Sequence, residues 1–98
     1  MISNTFRIAV AVILAGVMAG AAQAKPDEVS EAEVKNCRFL SKVEGSSGYG
    51  KNFGWQSIAK DNAEQKAGAI GATHIVFTDF RPVGAFNGEA SARAYVCR

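Results

Sequence analysis

The chain has 98 residues with a formal charge of +2, two cysteines and one histidine. That length allows one domain. The near balance of charge argues against a nucleic-acid or anionic-membrane surface.

In chain order, the first predicted element is a signal peptide over residues 1–24. Arg7 supplies a positive start, IAVAVILAGVMAG is an apolar run too short to span a bilayer comfortably, and Ala22-Gln23-Ala24 is a small-residue cleavage signal. Cleavage there puts Lys25 at the mature amino end. A lipid anchor would need cysteine at that place, so none is expected. Setting 24 of the 98 residues aside leaves 74, and setting Arg7 aside leaves ten basic residues against nine acidic. A domain that small buries little surface and often carries a covalent staple.

Residues 25–36 (KPDEVSEAEVKN) read as a flexible polar leader, with a short helical turn after Ser30. The folded domain is expected over residues 37–98. Residues 37–44 (CRFLSKVE) alternate as a first strand, with Cys37, Phe39, Ser41 and Val43 on the face expected to be covered.

Residues 45–54 (GSSGYGKNFG) form a glycine- and serine-rich loop. Gly45, Gly50 and Lys51 come near a phosphate loop, but Asn52 stands where the pattern needs the metal-binding hydroxyl, and the domain is too small for a nucleotide-hydrolysing fold. Tyr49, Phe53 and Trp55 give this loop a different promise. Aromatics among glycines make a contact patch, and they are the candidate partner-binding residues. The bland alternative is that they help to cover the core.

From residue 55 to residue 80 the chain reads as a helix, a glycine stop and a buried strand. Trp55, Ile58, Ala59, Ala63, Ala67 and Ile70 recur at three- and four-residue steps. Asn62 interrupts that stripe and needs a partner if it is buried. Gly71 fits a left-handed cap. Ile75, Val76 and Phe77 suit the strand that follows. The alanine-rich face predicts a close approach of helix to sheet. Pro82 is expected to end this strand and Asn87-Gly88 to make a tight turn with positive φ. Residues 89–97 (EASARAYVC) are the last strand, with Ala90, Ala92, Ala94 and Val96 on one face and Ser91, Arg93, Tyr95 and Cys97 on the other. The result is a single small α+β domain in the order β-α-β-β, with one helix packed on a small sheet.

An even cysteine count in an exported chain points to a disulfide between Cys37 and Cys97. The competing reading is a reactive or metal-binding pair, which lacks a C-x-x-C and a fourth ligand. The two cysteines raise a conflict of faces: Cys37 lies on the Phe39 side of its strand, whereas Cys97 lies opposite the alanine side of its own. Either the first strand shows the helix its Leu40 side, or a bulge intervenes.

No pair of carboxylates lies in an apolar run, no Ser–His–Asp or Cys–His arrangement is legible, and no zinc-type spacing is present. The expectation is a protein that is not an enzyme and carries neither metal nor cofactor. His74, with no second ligand near it in sequence, is expected to be structural.

Cys37, the run VEGSSGYG at residues 43–50, the helix ending in GATHIVF at residues 71–77 and the closing AYVC at residues 94–97 together resemble a family of small bacterial cell-envelope proteins. Those proteins are similar to the core domain of the Rcs envelope-stress sensor lipoprotein and, more remotely, to YbjQ-type proteins. The resemblance implies a β-α-β-β domain, export and a structural Cys37–Cys97 disulfide. The Rcs-type sensor has two disulfides and a lipid anchor, whereas this chain has one cysteine pair and no lipobox, so the sensor role does not carry over. The metal proposed for YbjQ-type proteins finds no ligand cluster here. The combined expectation is a periplasmic binding module contacting another envelope protein, with no nucleic acid and no stable membrane anchor after cleavage. The alternative is a small-ligand or metal binder using His74 and the loop at residues 45–54.

Overall fold

The computed structural model describes residues 24–97, so the expected signal segment lies outside the described residues except for Ala24. The elements are β1 (Asp27–Glu28), a 3-10 turn (Glu31–Val34), β2 (Arg38–Ser46), α1 (Trp55–Ala69), β3 (His74–Val83) and β4 (Asn87–Val96). They make one four-stranded sheet in the order β1-β3-β4-β2. β1 runs parallel to β3, and β4 is antiparallel to both its neighbours. The helix covers one face. This is the expected α+β domain, with a short strand added in front.

The helix meets the sheet through very small residues. Ala59, Ala63 and Ala67 are wholly buried, and they face Ala90, Ala92 and Ala94 of β4, also buried. Gly45 in β2 brings the two layers closer still: a β-carbon there would overlap the carbonyl oxygen of Ala59 and the backbone nitrogen of Ala63. Leu40, Val43 and Phe77 fill the margins, and Ile75 is the largest fully buried side chain. The stripe is narrower than its periodicity suggests. Ile58 stays 36% exposed, one position round the helix from Ala59, and Ile70 stays 48% exposed as the C-cap residue. The expected glycine stop is present. Gly71 has φ of 90°, Ala72 N–H donates to the Ala67 carbonyl at 3.0 Å and Gly71 N–H to the Gly68 carbonyl at 3.0 Å. These are the two bonds of a Schellman cap. Asn62 also finds its partner, donating to the Ser46 carbonyl at 2.6 Å.

A bulge resolves the conflict of faces. The β2–β4 register runs Arg38 to Val96 and Phe39 to Tyr95, skips Leu40, and resumes at Ser41 to Ala94. The extra residue flips the parity of the strand. Val43 and Gly45 therefore lie on the helix side, while Cys37 and Phe39 lie on the back with Tyr95 and Cys97. The set of four residues expected on one face is split by this bulge. The Cys37–Cys97 disulfide closes the open ends of β2 and β4, with Cα atoms 4.5 Å apart. β3 has its own shift between Phe77 and Asp79, leaving Thr78 as the extra residue.

The leader does not lie free. Asp27 N–H donates to the Thr73 carbonyl at 2.9 Å and Val29 N–H to the Ile75 carbonyl at 3.0 Å, which makes the parallel pair. Ser30 N–H then donates to Glu33 Oε1 at 2.9 Å, starting the helical turn that the sequence led us to expect. That turn delivers Val34, only 3% exposed, to Val76 and Tyr95 on the back of the sheet, with Val29 and the disulfide sulfurs beside it. Residues 25–36 are thus corrected from flexible leader to back cover: two valines suffice to bury, and main-chain bonds do the rest.

Two further corrections concern the return. β3 continues through Pro82 to Val83, paired with Gly88 and Asn87. Proline is tolerated because this part of β3 is an outer strand, where a missing N–H costs no ladder bond. The positive φ of the turn sits at Gly84, at 75°, not at Asn87-Gly88. Gly88 is needed for room: a β-carbon there would run into the Trp55 ring.

Candidate functional site

The loop after β2 and the turn after β3 meet at one end of the sheet, and a pair of asparagines joins them. Asn87 Oδ1 accepts from Ser47 Oγ at 2.8 Å and from Asn52 Nδ2 at 2.6 Å, while Asn87 Nδ2 donates to the Gly50 carbonyl at 2.7 Å. Main-chain bonds reinforce the seam: Asn52 N–H donates to the Phe86 carbonyl at 3.2 Å and Ser47 N–H to the Gly88 carbonyl at 3.0 Å. A glycine-rich loop is otherwise costly to order; here the asparagines supply the order.

What this brace displays is aromatic. Tyr49 is 100% exposed and Phe53 80% exposed. Phe53 meets Phe86 edge-on at 5.2 Å between ring centroids, and Lys51 Nζ lies 5.7 Å from the Phe86 centroid. Tyr49 borders a shallow cleft with Ser46, Val83, Asn87 and Glu89, and Val83 is itself exposed. Trp55 differs from its two companions. It opens α1, is half-buried, and lies against Gly88. Of the three aromatics singled out from sequence, Tyr49 and Phe53 therefore face solvent, and Trp55 packs against Gly88 instead. Phe86, Val83 and Asn87 join the site without having been expected there. Only the aromatic nature of Phe86 in an opposing turn was available as a local signal.

Removing the brace should loosen the display without disturbing the core. Asn87→Ala is expected to lower stability by about 1–2 kcal/mol, for a part-buried acceptor and donor lost together. Amide exchange should accelerate from Gly48 to Asn52 and stay unchanged in α1. Equal protection of the loop in the variant would show that the asparagines do not hold it.

The other candidate groups are not gathered with this site. His74 opens β3, whereas Val83 beside the loop ends it, roughly 30 Å away along a ten-residue strand. A single ligand site using both His74 and the loop is therefore not formed. His74 Nδ1 lies 2.8 Å from Thr73 Oγ1, and that hydroxyl also accepts from Cys97 N–H at 2.8 Å. The histidine thus sits beside the disulfide end of the sheet. Among the described residues no group of three His, Cys, Asp or Glu side chains converges. Gly45, the first glycine of the phosphate-loop near-match, is a strand residue under the helix and offers no amide to an anion.

Elsewhere several surface charges are paired. Lys25 Nζ lies 3.2 Å from Asp61 Oδ1 and 3.6 Å from Glu64 Oε1, and Lys60 Nζ lies 2.6 Å from Glu28 Oε1. The hydrogen bond to Asp61 holds the Lys25 ammonium above its ordinary pKa, and that to Glu28 does the same for Lys60. Arg81 pairs with Glu89 across β3 and β4. Among the described residues no helix is long and apolar enough to cross a membrane. The disulfide fits an oxidising, extracytoplasmic location.

Comparison of the chain with family models, with curated proteins and with solved structures finds no match.

Proposed function

We propose that the protein is an exported, periplasmic, non-enzymatic binding module that docks on another envelope protein through Tyr49 and Phe53, with Phe86 and Val83 at the rim. The observation that carries this reading is the fully exposed Tyr49 on a loop fixed by the Asn52–Asn87 brace. Large exposed aromatics on an ordered support lose little entropy on binding and contribute most of the energy of a small interface. The cleavage signal before Lys25 and the disulfide support export. The resemblance read from the motifs of residues 37–97 is what points to an envelope protein as the class of partner.

The double substitution Tyr49→Ala with Phe53→Ala tests it. Both side chains are mostly in solvent, so the melting temperature should hold. Capture of the envelope partner by cross-linking in the periplasm should fall at least about tenfold, as for the loss of two interface anchors. Undiminished capture by the folded double variant would reject the reading. Trp55 is left intact in this test because it supports Gly88 and its removal would disturb the end of the sheet.

A further inference from the structure

The bond after Ala24 is where the leader would be cut; in the folded domain Ala24 and Lys25 keep exposed surface, while Pro26, two residues on, is buried. The Ala24 carbonyl oxygen comes to 3.1 Å from the point a β-carbon on Gly68 would occupy, and Pro26 Cδ to 3.7 Å from the same point. Ala24 and Lys25 lie in the crease between the last turns of α1 and the start of β3. The residues that follow are held on both sides. Lys25 pairs with Asp61 and Glu64, Glu28 with Lys60, Pro26 is buried, and the amides of Asp27 and Val29 bond to β3.

We propose that residues 25–28 are an amino-terminal latch whose docking is mutually exclusive with processing: the body of the domain and the leader peptidase compete for one peptide bond, so cleavage must come before docking. The inference rests on the reading that the chain is exported and cut after Ala24. A peptidase needs the scissile carbonyl open to its nucleophile and the flanking residues extended in its own cleft. Here that carbonyl lies against Gly68, Pro26 is buried, and Asp27 and Glu28, next in the chain, already serve as β1. Once the bond is cut, the amide nitrogen of Lys25 becomes an ammonium beside the last turn of α1. Helix carbonyls and Glu64 favour positive charge there. Cutting therefore tightens the latch.

The test uses the full-length precursor in detergent micelles with signal peptidase, followed by intact mass. The reduced, unfolded precursor should be cut after Ala24, and the oxidised, folded precursor at least about tenfold more slowly, because cutting then follows only the open fraction. Asp61→Lys with Glu64→Lys leaves the cleavage sequence untouched and repels Lys25. In the folded, oxidised form this variant should be cut several times faster than wild type. Equal cutting of folded and unfolded wild-type precursor would overturn the latch, as would a folded variant no faster than wild type. If the unfolded precursor is not cut after Ala24, the export reading falls, and the latch falls with it.

Discussion

Removing the Cys37–Cys97 bond should cost the domain most of its stability. The bond closes a span of 60 positions, and cross-linking so long a loop restricts the unfolded chain by about 4 kcal/mol. The folded side offers little in reserve. Its core is alanine against alanine, and among the described residues Ile75 is the one large side chain fully withdrawn from water. In a domain of this size each kcal/mol moves the melting temperature by about 4–8 °C, so a fall of about 15–30 °C is expected. Thermal unfolding of the protein with and without reductant, alongside the variant with both cysteines changed to serine, measures it. Coincident melting curves would show that the sheet holds its ends together unaided.

Gly45→Val should be the most damaging change away from the cysteines. Glycine there is a matter of room. The new side chain would strike the Ala59 carbonyl and the Ala63 amide nitrogen, which are main-chain atoms of a continuous helix. No rotamer change and no trimming of a neighbouring side chain relieves that overlap. The helix must lift off β2, and the buried contacts of Ala59, Ala63 and Ala67 are lost together. A loss of about 3 kcal/mol or more is expected, at the upper end for overpacking. Urea denaturation gives the value; a midpoint within experimental error of wild type would show that the two layers can separate cheaply.

The contrast between these two positions shows what was legible beforehand. The cysteine pair could be read from parity and compartment, and the alanine stripe and the Gly71 stop from spacing alone, because each is a local pattern with one physical meaning. The parallel strand β1 had no such pattern. Asp27 and Glu28 are exposed and charged, and main-chain bonds to β3 hold them. The face assigned to Cys37, Phe39, Ser41 and Val43 failed for another reason: alternation assumes an unbroken ladder, and the bulge at Leu40 reverses which side chains face the helix. Pro82 read as a terminator because sequence does not show which strand will lie outermost. At the site, Tyr49 and Phe53 stood out by their chemistry among glycines. Trp55 was grouped with them because its packing partner, Gly88, lies 33 positions away, beyond the reach of periodicity. Asn87 suffered the same fate, since its partners Gly50 and Asn52 lie on the far loop, with sequence separations of 37 and 35.

The bulges also bear on how this protein behaves in company. A sheet with unpaired outer strands offers its neighbours a template for edge-to-edge growth, the first step toward fibrils. Here β2 is interrupted at Leu40 and carries Arg38, Lys42 and Glu44, while β3 is interrupted at Thr78 and carries Asp79, Arg81 and Pro82. Neither β2 nor the part of β3 beyond its pairing with β1 presents more than about half a dozen residues in unbroken register, and the latter lacks an amide proton at Pro82. The same irregularities that set which side chains meet the helix thus discourage copies of the chain from recruiting one another edge to edge.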